Sequence, residues 1–213
     1  KKNINLLIDL GVSIYNTSHF LNSLIGNADL INFNNLDTLT LIGRKQINPN
    51  NELLQINVIN KTILITGAGG SIGSELCRQI VFLKPKKIVL YDISESSLYI
   101  IEQELLNIAI PNVEVNPIIG SVLDKDRMEV VCKYYEVQTI YHSAAYKHVP
   151  LVELNPTQGV LNNSIGTMMA SKAAISANVE TFGLISTDKA VRPTSVMGAS
   201  KRIAELALQA LNQ

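Results

Sequence analysis

Cysteine is scarce in this chain, and neither copy is placed to bind a metal or staple the fold. Cys77 and Cys132 stand 55 positions apart in predicted helices, with neither metal-ligand spacing nor the density of a secreted disulfide scaffold. Net charge is missing altogether: 18 basic and 18 acidic residues cancel, so no general electrostatic pull toward nucleic acid or anionic membrane exists. Long apolar runs are also lacking. The segment LLIDLGVSI follows Lys1 and Lys2, but Asp9 interrupts it and no cleavage pattern or spanning-length stretch follows, so the chain itself reads as soluble. No second histidine or cysteine stands at ligand spacing from His148, so no metal is expected. No internal repeat or low-complexity tract is visible. What remains is 46% hydrophobic content over 213 residues, enough for one full α/β domain and part of another.

The organising stretch is KTILITGAGGSIGSELCRQI, residues 61 to 80. An apolar run, Ile63 to Ile65, meets Gly67, Gly70 and Gly73, and the apolar positions then switch to helical spacing at Ile72, Leu76 and Ile80. Such a strand, turn and helix is a βα unit. Glycine there permits positive φ and close backbone approach, and the new helix offers free N–H groups to an anion. Gly67, Gly70, Ser71, Ile72 and Gly73 are therefore candidate contacts to a dinucleotide cofactor.

Downstream, the pattern predicts strand 62–66, helix 71–83, strand 87–91, helix 95–108, strand 113–118, helix 124–134 and strand 138–142. A long helix over 152–177, strand 181–186 and a helix over 195–211 follow. This is an α/β pattern, a doubly wound parallel sheet of the Rossmann type with helices on both faces. Residues 1–58, asparagine-rich with short apolar pieces, read as the end of a preceding α/β domain plus a linker, and 59–213 as the nucleotide-binding domain.

The second strand ends in KKIVLYD, which puts Asp92 nineteen residues beyond Gly73, where a carboxylate can accept from the adenosine ribose hydroxyls. Asp92 and Glu95, with no Arg or Lys among residues 91–100, oppose a 2′-phosphate and favour NAD over NADP. Asp124 opens a helix and reads as an N-cap or adenine-pocket neighbour. In YHSAAYKHVP, Ala144 and Ala145 are small enough for a cofactor to lie against the backbone, His142 belongs to the strand, and His148 is structural. Lys147 either faces a substrate phosphate or is an ordinary surface lysine. The fifth strand leads into ISTDKAVRPTSVMGASKRIAE, with Thr187, Asp188 and Lys189 on a turn and Met197 and Lys201 four apart on one helix face.

Through TGAGGSIGSE, AAYKHVPLVE, NNSIGT and STDKAVRPTSVMGASKRIAE, residues 61–213 resemble the extended short-chain dehydrogenases/reductases. Within them, the chain is similar to the polysaccharide-biosynthesis nucleotide-sugar 4,6-dehydratases that act on UDP-N-acetylglucosamine. LIGRKQI, residues 41–47, looks like the segment before the catalytic domain in the long, membrane-anchored members. The resemblance implies that the three turn glycines hold the NAD pyrophosphate, Asp92 the ribose, and Lys201 the nicotinamide ribose. It makes Thr187, Asp188, Lys189, Met197 and Lys201 the catalytic set, and Lys147 and Asn163 substrate contacts. Met197 stands where most short-chain enzymes carry the base tyrosine, and a thioether cannot accept a proton. Lys189 is then the base at C5, its pKa lowered by Lys201, Arg192 and partial burial, and Asp188 the acid for the departing C6 hydroxyl. The C4-hydroxyl base stays open among Thr187, Asp188 and a water.

The resemblance further implies a homo-oligomer through the two long helices, and a parent anchored to the inner membrane with this part on the cytoplasmic side. A 4-epimerase would call for tyrosine at 197, and an NAD- or nucleotide-sugar-binding protein without catalysis is the other alternative. The chain stops twelve residues after Lys201, so the 213 residues are expected to bind NAD but to turn over substrate poorly.

Overall fold

The computed structural model describes residues 55–108 and 110–212; the segment read as a preceding domain, up to residue 54, lies outside them. Five strands alternate with helices: β1 (Thr62–Thr66), α1 (Ser71–Phe82), β2 (Lys87–Asp92), α2 (Glu95–Ile108), β3 (Glu114–Ile119), α3 (Lys125–Tyr134) and β4 (Thr139–His142). Then come α4 (Val149–Leu154), α5 (Pro156–Val160), a π-helical turn (Leu161–Ile165), α6 (Gly166–Ser176), β5 (Thr181–Leu184) and α7 (Val196–Leu211). The strands form one sheet in the order β3-β2-β1-β4-β5, and each pairing is parallel. This is the doubly wound α/β sheet that the sequence pattern predicts.

Every residue of β1 is buried, as a central strand covered on both faces requires. Alternation divides its side chains between two cores. Ile63 and Ile65 pack with Ile88 and Leu90 against Cys77, Ile80 and Val81 of α1 and Leu98, Ile101 and Leu105 of α2. Leu64 packs on the other face with Val89, Tyr91 and Ile140 against Met128 and Cys132 of α3 and Ala170 and Ala173 of α6. Both cysteines are thus free, buried core residues, and burial pushes each thiol up to about 12. Pro117 sits in β3, at the sheet edge, where its missing N–H interrupts no ladder. Val58, 1% exposed, also belongs to the first core.

The single helix expected over 152–177 is not continuous. Asn155 leaves the helical region at φ −133° and ψ 57°, because Pro156 at the next position excludes the α conformation from the residue before it. The chain then passes through the π-helical turn before regular helix resumes at Gly166. Such a turn rotates the following side chains and recurs at functional sites. Asp124 is the N-cap of α3, accepting from the Arg127 N–H at 3.0 Å. Among the described residues no helix is long and apolar enough to cross a membrane.

Candidate functional site

The carboxyl ends of β1, β2, β4 and β5 open onto one cleft of about 690 Å³. Its walls carry Gly67, Gly70, Ser71, Ile72 and Gly73 from the turn after β1, and Asp92 from the end of β2. Ala144, Ala145 and Lys147 come from the loop after β4, and Thr187, Lys189, Met197 and Lys201 from beyond β5. Residues from four separate segments thus meet at the edge where open parallel sheets bind ligands.

The glycine turn is built by close approach. Gly67 has φ +65°, and a Cβ there would lie 2.8 Å from the backbone of Ala144. A Cβ on Gly73 would overlap the Gly67 carbonyl oxygen. Gly70 caps α1 without a side-chain hydrogen bond, so the first N–H groups of that helix stand on the cleft wall uncapped. Gly69, outside the sequence-derived set, lets α2 approach: a Cβ would stand 2.5 Å from the Ser97 Cβ. Asp92 is fixed by two backbone donors, the Gly69 N–H to Oδ2 and the Ser94 N–H to Oδ1, each at 2.9 Å. A glycine-walled slot with an uncapped helix start beside it and an oriented carboxylate at one end fits a dinucleotide's pyrophosphate and ribose.

At the other end, Lys201 is 6% exposed and its Nζ donates to the Ile185 carbonyl at 2.8 Å. Burial lowers its pKa, with Glu205 opposing. Met197 is buried on the same helix face. Ser195 caps α7 by accepting from the Gly198 N–H at 3.1 Å, and Gly198 lets the helix start rest on the Thr187, Asp188, Lys189 turn, since a Cβ there would collide with the Lys189 carbonyl. Thr187 Oγ1 accepts from the Lys189 N–H at 3.3 Å and donates to Asp188 Oδ1 at 3.0 Å. Lys189 Nζ lies 3.5 Å from the same carboxylate oxygen. The Thr187 hydroxyl first and Lys189 second hold the Asp188 carboxyl below its usual range.

Two sequence-derived site residues are not on the cleft wall. The Asp188 side chain is 90% exposed and turned to its Thr187 and Lys189 partners. Asn163 is fully buried with its amide spent internally: Oδ1 accepts from the Tyr146 N–H at 2.7 Å, and Nδ2 donates to the Tyr146 carbonyl at 2.9 Å and to Ser200 Oγ at 3.0 Å. It therefore supports the loop after β4 from behind. Lys189, expected to be partly buried, has 56% of its side chain exposed. Tyr146, Ser143, Ser94 and Ser97 line the cleft without having been singled out from sequence. Short polar side chains in loops carry no spacing signal, although the GG pair could have marked Gly69, its first member.

Beneath the cleft lies a buried polar chain. Thr167 Oγ1 donates to the Asn163 carbonyl at 2.6 Å, so it accepts from His142 Nε2 at 3.0 Å. His142 Nδ1 in turn accepts from Thr66 Oγ1 at 2.8 Å, while Thr66 Oγ1 accepts from the Ala144 N–H at 3.3 Å. These partners fix His142 as the neutral Nε2–H tautomer. Burial first, and the Lys201 charge second, push its pKa down to about 3.

The sequence profile of the Polysaccharide biosynthesis protein family matches residues 63–213. The chain belongs to that family. It is 41% identical over 203 residues, 95% of its length and 34% of the relative's, to the capsular polysaccharide biosynthesis protein CapD of Staphylococcus aureus. It is 33% identical to the inverting UDP-N-acetylglucosamine 4,6-dehydratase of Campylobacter jejuni, over 71% of this chain and 44% of that protein. A UDP-glucose 4-epimerase of Rickettsia bellii matches at 32% over 69% of this chain and 42% of the epimerase. The fold is shared with DesIV, the dTDP-glucose 4,6-dehydratase of Streptomyces venezuelae solved with NAD, at a TM-score of 0.61 and 22% identity over 71% of this chain and 51% of that one. The chain thus spans about a third of CapD and under half of the dehydratase and epimerase relatives.

Proposed function

We propose that the protein is a nucleotide-sugar 4,6-dehydratase that takes UDP-N-acetylglucosamine to its 4-keto-6-deoxy product. The observation that carries this reading is that Thr187 and Lys189 line the same cleft as the glycine slot, with Asp188 bonded to both from outside its wall and Met197 in place of a phenolic base. Gly67, Gly70, Ser71, Ile72 and Gly73 would hold the cofactor pyrophosphate, Ala144 and Ala145 the flat wall beside it, Asp92 the adenosine ribose and Lys201 the nicotinamide ribose. NAD is favoured over NADP by the Asp92 carboxylate and the absence of a cation among residues 91–100. When bound, NAD would supply an acceptor that takes hydride from sugar C4 and returns it at C6.

The chain's own groups close the proton circuit. Thr187 Oγ1 receives the C4-hydroxyl proton while passing its own to Asp188, whose Oδ1 it already contacts. The C4 ketone acidifies the C5 hydrogen, which Lys189 Nζ removes. The proton held on Asp188 then returns through the Thr187 hydroxyl, which lines the cleft, to the C6 hydroxyl, which leaves as water, and Lys189 returns its proton to C5 once C6 is reduced. Atoms and electrons balance, with one water released per turnover. The purified parent protein supplied with UDP-N-acetylglucosamine should give the 4-keto-6-deoxy sugar without net NADH, whereas the 213 residues alone should turn it over poorly. Lys189→Ala should slow turnover by about a hundredfold or more while NAD binding persists. A 4-epimer as product, or stoichiometric NADH, would overturn the reading in favour of an epimerase or a simple dehydrogenase.

The proposal extends to assembly and location. Leu151, Leu154, Leu161, Ile175, Ile203 and Leu206 are exposed along α4 to α7, at 37% to 79%. A second copy covering them would remove that apolar surface from water. Light scattering after gel filtration should give a dimer, and a monomer at tens of micromolar protein would contradict it. The parent protein is proposed to be membrane-anchored with this part on the cytoplasmic side, which protease protection in inverted membrane vesicles would test: a protected cleft domain would count against it.

A further inference from the structure

We infer that Tyr146 is the residue that contacts the sugar of the nucleotide-sugar, held in place for that purpose by the two-pronged amide grip of Asn163; this rests on the function proposed above. Tyr146 lines the cleft with 52% of its surface exposed, so its ring is not committed to the core. Its backbone is the opposite. Both its N–H and its carbonyl are bonded to one buried side chain, and the same Asn163 nitrogen reaches Ser200, the neighbour of Lys201 on α7. Ser200 is itself fixed, its Oγ donating to the Met197 carbonyl at 2.7 Å. Placing a fully buried amide is costly unless every hydrogen bond is made. Here those bonds are made to a loop residue whose own side chain stays free. An anchor serving only stability could be apolar and leave no exposed ring behind.

Position along the cleft separates a sugar contact from a cofactor contact. Asp92 and Ser94 mark the β2 end, the glycine turn the middle, and Thr187, Lys189, Met197 and Lys201 the β5 end. The loop after β4 lies between the middle and the β5 end, as the strand order requires. Its first residues, Ala144 and Ala145, offer only methyl groups beside the glycine turn, and Lys147 Nζ is directed to Ser71 Oγ at the start of α1, 3.1 Å away. Tyr146 is stitched instead to the helix that carries Met197 and Lys201. It presents an apolar ring to a pyranose face and a phenol to its hydroxyls, the combination that suits a half-wet sugar site.

The test compares UDP-N-acetylglucosamine with UDP alone and with NAD. Tyr146→Ala should weaken UDP-N-acetylglucosamine binding about tenfold, seen as a raised KM with kcat less affected, and leave the affinities for UDP and for NAD within about twofold. Asn163→Ala should reproduce that pattern with a lower Tm, because it releases the loop without touching ligand. Equal losses for UDP and UDP-N-acetylglucosamine, or a loss confined to NAD, would overturn the sugar contact while leaving the dehydratase reading in place. A wild-type protein that binds NAD but neither UDP nor UDP-N-acetylglucosamine would overturn the dehydratase reading and this inference with it. Tyr146 is a surface side chain, so its variant keeps the comparison available even where Asn163→Ala fails to fold.

Discussion

Gly67→Ala should abolish measurable NAD binding, a loss of about a hundredfold or more in calorimetric titration. Two costs act together at this position. The residue sits at φ +65°, where a side chain costs about 1–2 kcal/mol. The added methyl would also press to 2.8 Å against the backbone of Ala144, which follows β4 and donates its N–H to Thr66 Oγ1 of β1 at 3.3 Å. The contacting atoms, of Ala144 and of Ser143 at 3.2 Å, are backbone rather than flexible side-chain ends, so relief requires the two strand ends to part and the cleft wall to open. Gly70→Ala is the internal comparison. Its Cβ would meet only the Gly67 carbonyl oxygen, at 3.2 Å, and φ is −73°, so the chain tolerates it and the penalty falls on the space offered to the ligand. Titrating NADP in parallel should give weaker binding than NAD to the wild type, because a 2′-phosphate would meet Asp92. Full NAD affinity in Gly67→Ala would show that the cofactor does not lie in this slot.

Acidification should destabilise the protein above the range in which carboxylates titrate. His142 has its pKa depressed to about 3, against about 6.5 in the unfolded chain, so the unfolded state binds a proton that the native state refuses. Stability attributable to the neutral imidazole is therefore fully present above about pH 6.5 and falls as pH drops toward 3, by about 1.4 kcal/mol per unit. Protonation would turn Nδ1 into a donor facing the Thr66 hydroxyl, which already accepts from Ala144, and would place a cation near Lys201. Between pH 6.5 and 5 ordinary carboxylates stay ionised in both states, which makes that window specific to histidine. Urea denaturation across it should show the slope in the wild type and a flattened one in His142→Gln. The imidazole resonances of His142 in the native protein should show no titration down to pH 4; a midpoint near 6 would refute the assignment.

Several structural decisions were legible in residue order alone. The alternation of apolar blocks and helical periods predicts the parallel sheet, and the glycine spacing with Asp92 marks residues that line one cleft at its carboxyl edge, because strand burial and turn conformation are local demands. Pro156 carries a local signal for the helix break, which the expectation of one helix over 152–177 missed. Roles that depend on where a side chain goes after leaving the backbone were not legible. Asn163 and Asp188 occupy motif positions, yet one is spent behind the Tyr146 loop and the other lies outside the cleft wall. Gly198 looks like an ordinary helix glycine until α7 is seen resting on the Lys189 carbonyl.

The glycine turn shows the division most clearly. By itself the sequence determined that residues 67 to 73 form a strand-to-helix turn with free N–H groups and room for an anion, since the conformational freedom of glycine and the helix dipole act within a few residues. Only the tertiary structure decided what stands around that turn: the Ala144 backbone filling the space a Gly67 Cβ would need, Asp92 pinned by Gly69 and Ser94, and Lys201 brought in from more than a hundred positions away. It also decided that His142, a strand residue without an evident role in the sequence, joins β1, β4 and α6 beneath the cleft. These contacts are set by sheet order and helix packing, which no spacing along the chain encodes.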